Sequence, residues 1–166
     1  DFYGNVDLNL AGTVVLDGSA LVGRGVAPAQ VRIASGSTLE LRNSDAAAFD
    51  ATGNGGTLSL VGRNVRIGEG DMDIAFADTR IDAAERLIFD GIGDNSFDGA
   101  LTVRAVEVTG SSGAGHEVKA TGKLNLLAQQ AGGQLPAFTT AGALLAFEGS
   151  EVEIATAITA GSGTVR

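Results

Sequence analysis

The sequence predicts an all-β chain wound as a parallel β-helix (a β-solenoid) of about eight coils of 20–23 residues. Three observations carry this prediction: a strand motif that returns at a steady period, connections written in Gly, Ser, Asn and Asp, and a core palette of small and branched aliphatics. The motif is a Leu-x-Leu-like strand opened by Gly, Ser or Thr, as in "VDLNL" (6–10), "STLEL" (37–41), "GTLSL" (56–60), "GALTV" (99–103), "GKLNL" (122–126) and "GALLAF" (142–147). Anchored on Leu39, Leu60, Ile81, Leu101, Leu124, Leu145 and Val165, it advances by 21, 21, 20, 23, 21 and 20 residues. Strands of three to five residues with alternating polarity, two or three per period, bury one face each. Coils stacked about 4.8 Å apart then give a rod about 38 Å long. A β-sandwich also uses short strands, but nothing in that architecture requires one strand type to recur every twenty or so residues.

Along the chain, residues 1–30 are the least regular, and "GSALVGRGVAPAQ" (18–30) reads as a loop or cap crossing the solenoid. Residues 31–166 read as regular coils of the same single domain. A second column of strands runs through "NVRI" (64–67), "RLIF" (86–89) and "VEV" (106–108), with "MDIAF" (72–76) and "TRID" (79–82) between. "DAAERLIFD" (82–90) offers Asp82 as a helix cap, yet Leu87 and Phe89 alternate as in a strand. "DAAAFDA" (45–51) and "LLAQQAG" (126–132) are the remaining helix candidates, expected as loop or a single turn. The chain opens at Asp1 without a Met and closes on "GSGTVR", which reads as a segment of something longer.

Gly, at 25 of 166 residues, is about twice its usual share of roughly 7%. Aromatics are only 5% and Trp is absent, so Leu, Val, Ile and Ala must fill a narrow, regular interior. A net charge of −9 repels phosphate backbones, so nucleic acid is a poor partner; no apolar run approaches the ~20 residues of a membrane span. The absence of Cys removes disulfides, thiolate metal sites and Cys nucleophiles together.

Candidate chemistry falls in four places. "DGIGDNSFDG" (90–99) brings Asp90, Asp94, Asn95 and Asp98 close in sequence, oxygen ligands of the kind Ca²⁺ takes, though without the EF-hand spacing. The plain alternative is a polar turn whose Asp and Asn bond their own backbone. "EGDMDIAFADTRID" (69–82) supplies Glu69, Asp71, Asp73, Asp78 and Asp82, with Glu85 and Asp90 about one coil on. Carboxylates on adjacent coils are the arrangement a polysaccharide-cleaving site would use; the alternative is solvated positions alternating with Ile74 and Phe76. His116, with Ser111, Ser112 and Glu117 nearby, has the ingredients of a hydrolase triad but not its convergence, and is expected as a solvent-facing loop histidine. "GNGG" (53–56) and "GSSGAG" (110–115) lack the Lys-Ser/Thr of a phosphate loop and read as turns. Thr57, Thr102, Thr121, Thr139, Thr140, Thr156 and Thr159 suggest the flat array of an ice-binding solenoid, but their spacing is irregular. No catalytic, cofactor or metal residue is therefore assigned.

The run "GALTVRAVEVTGSSGAGHEVKATGKLNLLAQQAG" with "AGALLAFEGSEVEIATAITAGSGTV" resembles the rod of filamentous-haemagglutinin-like exoproteins exported by two-partner secretion. Gly99, Leu101, Val103, Ala105 and Val108 carry the first of the shaft patterns, and Ala120, Gly122, Leu124, Leu126 and Ala128 the second. Gly149, Val152, Ile154 and Ile158 carry the third, and the likeness extends from about residue 31 onward. The Asn-Pro motifs of that family's secretion domain are missing, so the resemblance implies shaft rather than export signal. It further implies a right-handed β-helix, an extracellular or cell-surface location, and adhesion or scaffolding, with no catalytic residues to carry over; end-to-end stacking on neighbouring coils is expected separately, from the unpaired strand edges and apolar cross-section at the ends of a solenoid segment. Host or neighbouring-cell surfaces or glycans are the partners it implies. A polysaccharide-binding or polysaccharide-cleaving domain and a Ca²⁺-dependent module are the alternatives.

Overall fold

A computed structural model describes residues 1–25, 27–45, 53, 55–130, 132–137 and 140–166. Among the described residues there is no helix, and strands pair only in parallel, each with a strand one coil away or, at two places, two coils away. The chain is a β-solenoid of about seven turns whose coils visit three sides, here called A, B and C.

The strand β1 (Phe2–Tyr3) lies on side C ahead of the first coil. That coil is β2 (Val6–Leu10) on A, β3 (Val14–Asp17) on B and β4 (Ala20–Arg24) on C. The second has β5 (Ala29–Ser35) on A and β6 (Thr38–Arg42) on B. In the third, β7 (Gly56–Ile67) runs from A round to B and β8 (Met72–Ala75) follows on C. The fourth repeats this with β9 (Asp78–Phe89) and β10 (Ile92–Phe97). The fifth is β11 (Ala100–Ala105), β12 (Glu107–Gly110) and β13 (Gly115–Ala120). The sixth has β14 (Lys123–Ala128) on A and β15 (Leu144–Glu148) on C, and the seventh β16 (Glu151–Ala155), β17 (Ala157–Thr159) and β18 (Thr164–Val165).

Two coils skip a side. Among the described residues nothing from the second coil joins side C, and β4 pairs directly with β8. Among the described residues the sixth coil contributes no strand to side B, where β12 pairs directly with β17, Val108 opposite Ile158. These long coils explain why seven turns use the length that a uniform period divides into eight. On side A, Leu8, Ile33, Leu60, Ile81, Val103, Leu126 and Ile154 are successive partners, at steps of 25, 27, 21, 22, 23 and 28 residues.

Alternation turns every second residue inward, where like stacks on like. Leu58, Leu101 and Leu124 form one buried column on side A, and Leu39, Val65, Leu87 and Val108 another on side B. The second of these is the column expected from "NVRI", "RLIF" and "VEV". The first set of sequence anchors, by contrast, mixes sides: Leu39 stacks on Val65 rather than Leu60, and Leu145 stacks on His116 and Val165 on side C. The motif is what any inward strand requires, so it recurs on all three sides. Within residues 1–30, the least regular stretch in sequence, 2–24 form β1 and a coil in register on every side. "RLIF" lies in β9 as alternation requires; of "LLAQQAG", 126–128 complete β14. "DAAAFDA" lies, apart from Asp45, outside the described residues.

Glycine is required where a turn closes on the coil before it. Gly56 has φ +98°, and a Cβ there would stand 2.1 Å from the carbonyl oxygen of Ala29. That is why "GNGG" precedes a strand: no other residue fits that approach.

Candidate functional site at a stacked acidic corner

Leaving side B, the chain turns toward side C at Asn43–Ser44, again at 68–71, 90–91 and 111–114. Backbone bonds stack these turns: Asn43 N donates to Glu69 O at 2.9 Å, Gly70 N to Ile92 O at 2.9 Å, and Ser111 N to Phe89 O at 2.8 Å. The result is an open groove lined by Glu40, Arg42, Asn43, Glu69, Asp71 and Asp90. It gathers three of the carboxylates singled out from sequence, Glu69, Asp71 and Asp90.

Two of these three, Asp71 and Asp90, are already engaged. Asp90 accepts from Arg66 Nη1 at 2.5 Å and from Ser111 Oγ at 2.5 Å. Asp71 Oδ1 accepts the backbone amide of Asp94, one coil on, at 2.8 Å. Beside the groove, Asp17 accepts from Ser44 N at 3.0 Å and Arg42 Nε at 2.9 Å. The Ser44 amide first, then the Arg42 guanidinium, holds that carboxyl below its ordinary range.

The other candidates scatter. Asp73 accepts from Ser96 Oγ on side C, and Glu85 meets Arg63 at 3.0 Å at the A–B corner. Asp78 is exposed on side A, and Asp82 there takes Arg80 Nε at 2.7 Å. Asp94 and Asp98 are exposed; the backbone carbonyl of Asp98, not its carboxylate, accepts from Thr121 Oγ1. Among the described residues no three His, Asp or Glu side chains stand close enough to hold a metal ion. The threonines do not align either: Thr57 is followed in register by Asp78, Thr102 by Asn125. Thr139 lies outside the described residues.

His116 is not the solvent-facing loop residue expected. It sits in β13, 3% exposed, pointing into the core between Gly93 and Leu145 of the adjoining coils. Its Nδ1 lies 3.1 Å from Asn95 Nδ2, its Nε2 3.2 Å from the carbonyl oxygen of Asp90, and Phe89 packs at 5.3 Å between ring centres. Burial pushes the imidazole below its usual range, outweighing the Asp90 carbonyl and the Asp90, Asp94 and Asp71 charges that act the other way. Ser111 bonds Asp90 and Glu117 pairs with Lys119 at 3.1 Å, so no triad forms. Asn95, read from sequence as a candidate Ca²⁺ ligand or turn residue, is buried in β10 instead; the signal for that is alternation, since Asn95 is in phase with Phe97.

What the arrangement does is bind coil to coil. Arg32–Asp7, Arg42–Asp17, Arg63–Glu85, Arg66–Asp90, Arg86–Glu107 and Lys123–Glu151 each join one coil to the next, at 2.5–3.0 Å. No family model matches the chain, and no curated protein or solved structure is similar to it.

Proposed function

We propose that this chain is a length of structural shaft from a secreted, surface-exposed bacterial exoprotein of the filamentous-haemagglutinin kind, adhesive or scaffolding and not enzymatic. The observation that carries the reading is the use to which its charged groups are put. Asp71, Asp73 and Asp90, which a catalytic site would need free and convergent, are instead bonded to side chains and amides of neighbouring coils, while Asp94 and Asp98 stand exposed. The mechanism is mechanical: three parallel ladders and inward aliphatic columns resist bending, and outward surfaces present whatever is recognised. Leu8 and Leu10 at one end of the stack and Val152 and Ile154 at the other are 40–49% exposed, which suits stacking on further coils.

The test compares adhesion with catalysis. Beads coated with the purified chain are expected to attach to epithelial or bacterial cell surfaces above beads carrying an unrelated protein. Incubation with a panel of polysaccharides is expected to release no reducing ends, and chelation to leave the melting temperature unchanged. Reducing-end release that disappears in Asp71→Asn would instead establish the cleaving alternative. A melting temperature lowered by chelator would establish the Ca²⁺ module.

A further inference from the structure

Side A carries outward a line of hydrogen-bonding side chains, one per coil. Arg32, Ser59, Arg80, Thr102 and Asn125 are successive ladder partners, so they run parallel to the rod axis about 4.8 Å apart. Beside this line Arg104 departs from the pairing seen elsewhere. Among the described residues, every Lys or Arg but Arg104 and Arg166 is ion-paired. The acid in register with Arg104 on the coil before is Asp82, already taken by Arg80 Nε at 2.7 Å. On the coil after, its partner is Leu127. Arg80, Asp82, Arg104, Leu127, Gln129 and Gln130 line one shallow groove. Two guanidiniums there face a single carboxylate, with two amide side chains at the rim.

We propose that this groove docks a carboxylate-bearing polysaccharide laid along the axis of side A. The planar fork of Arg104 and the unbonded terminal nitrogens of Arg80 match a carboxylate bidentately. The Ser, Thr, Asn and Gln side chains around them suit sugar hydroxyls. A peptide would seek a free strand edge or an apolar pocket, and from β5 to β14 every side A strand is paired on both edges. A nucleic acid would need aromatic faces for its bases, and the line has none. The chain's charge of −9 opposes any polyanion, so the contact is weak and strongly salt-dependent. This proposal rests on the fold alone and stands whether or not the chain is an adhesin shaft.

The experiment is a titration of the labelled protein, at low salt, with a galacturonate oligomer, following backbone and Arg Nε–Hε resonances. Saturable shifts are expected at Arg80, Arg104, Gln129 and their neighbours, fading as salt is added and absent with a neutral glucan oligomer of equal length. Arg104→Gln should weaken the dissociation constant about tenfold, the loss of one charge-assisted contact. Arg104→Lys should weaken it less, and Arg63→Gln, on another part of the surface, not at all. Because Arg104 holds no other group, spectra away from the groove should be unchanged in its variants. The proposal is overturned if no shifts appear, if they spread over the chain or persist in Arg104→Gln, or if only a sulphated oligomer or a DNA oligomer produces them.

Discussion

Thr79 stands in an inward column whose neighbours in register are Leu58 and Leu101, yet it brings a hydroxyl there. It is fully buried, and its Oγ1 has no partner among the described residues. A desolvated, unbonded hydroxyl costs free energy that an isosteric methyl does not. Thr79→Val should therefore stabilise the chain by about 1 kcal/mol, seen as a higher urea midpoint at unchanged slope. His116 makes a prediction of opposite kind. Its folded pKa is depressed, so unfolded chains take up a proton at a higher pH than folded ones do. Stability is thus full above the unfolded value of about 6.5 and declines as pH falls below it. His116→Leu should flatten that decline between about pH 7 and pH 5, before the carboxylates titrate; an identical decline in the variant would refute the assignment. The inward position was legible, since His116 is in phase with Val118 and Ala120 of its strand. Proximity to Gly and Ser suggested a loop, but the pairing of His116 with Gly93 and Leu145 on adjoining coils is a three-dimensional fact that no local run of residues spells out.

At the scale of elements, side B is where local pattern and burial part company. Leu87 and Phe89 of β9 point inward, so Arg86 and Ile88 point outward, yet both are buried. The carbonyl of Pro136, between β14 and β15, accepts from Arg86 Nη2, while Arg86 Nε reaches Glu107 at 2.7 Å. Burial raises the Glu107 carboxyl, but hydrogen bonds from Arg86 and Thr159 outweigh it and hold the group below its ordinary range. Arg86→Ala strands that carboxylate and frees the chain over it. The expected outcome is a loss of about 2 kcal/mol, with faster proteolytic nicking within 132–137 than in the parent. Strand type and inward phase were legible because each is set by a few neighbouring residues. Which coils skip a side was not, because nothing in "QQAGGQLPAFTTAGA" states that β17 will pair with β12. The corner groove was half legible for the same reason: Glu69, Asp71 and Asp90 drew notice as acids, but the engagement of Asp90 depends on Arg66 and Ser111, and that of Asp71 on the Asp94 amide, each one coil away.

For the whole molecule, each coil touches its neighbours and, where a side is skipped, the coil beyond, so stability should vary along the axis rather than be shared evenly. β16 is exposed throughout, whereas the inward residues of β7, β9 and β11 are buried. Native-state hydrogen exchange should find the slowest amides in β7, β9 and β11 and the fastest in β16 to β18. Uniform rates would show instead that the seven turns open as one unit. The direct pairing of β12 with β17 bears on how such a rod carries tension. Three registered backbone partners join these strands across fifty residues of chain, so an axial pull on side B passes straight from one to the other. Among the described residues between β14 and β15 none adds a strand to that path, so the load bypasses the sixth coil on this side.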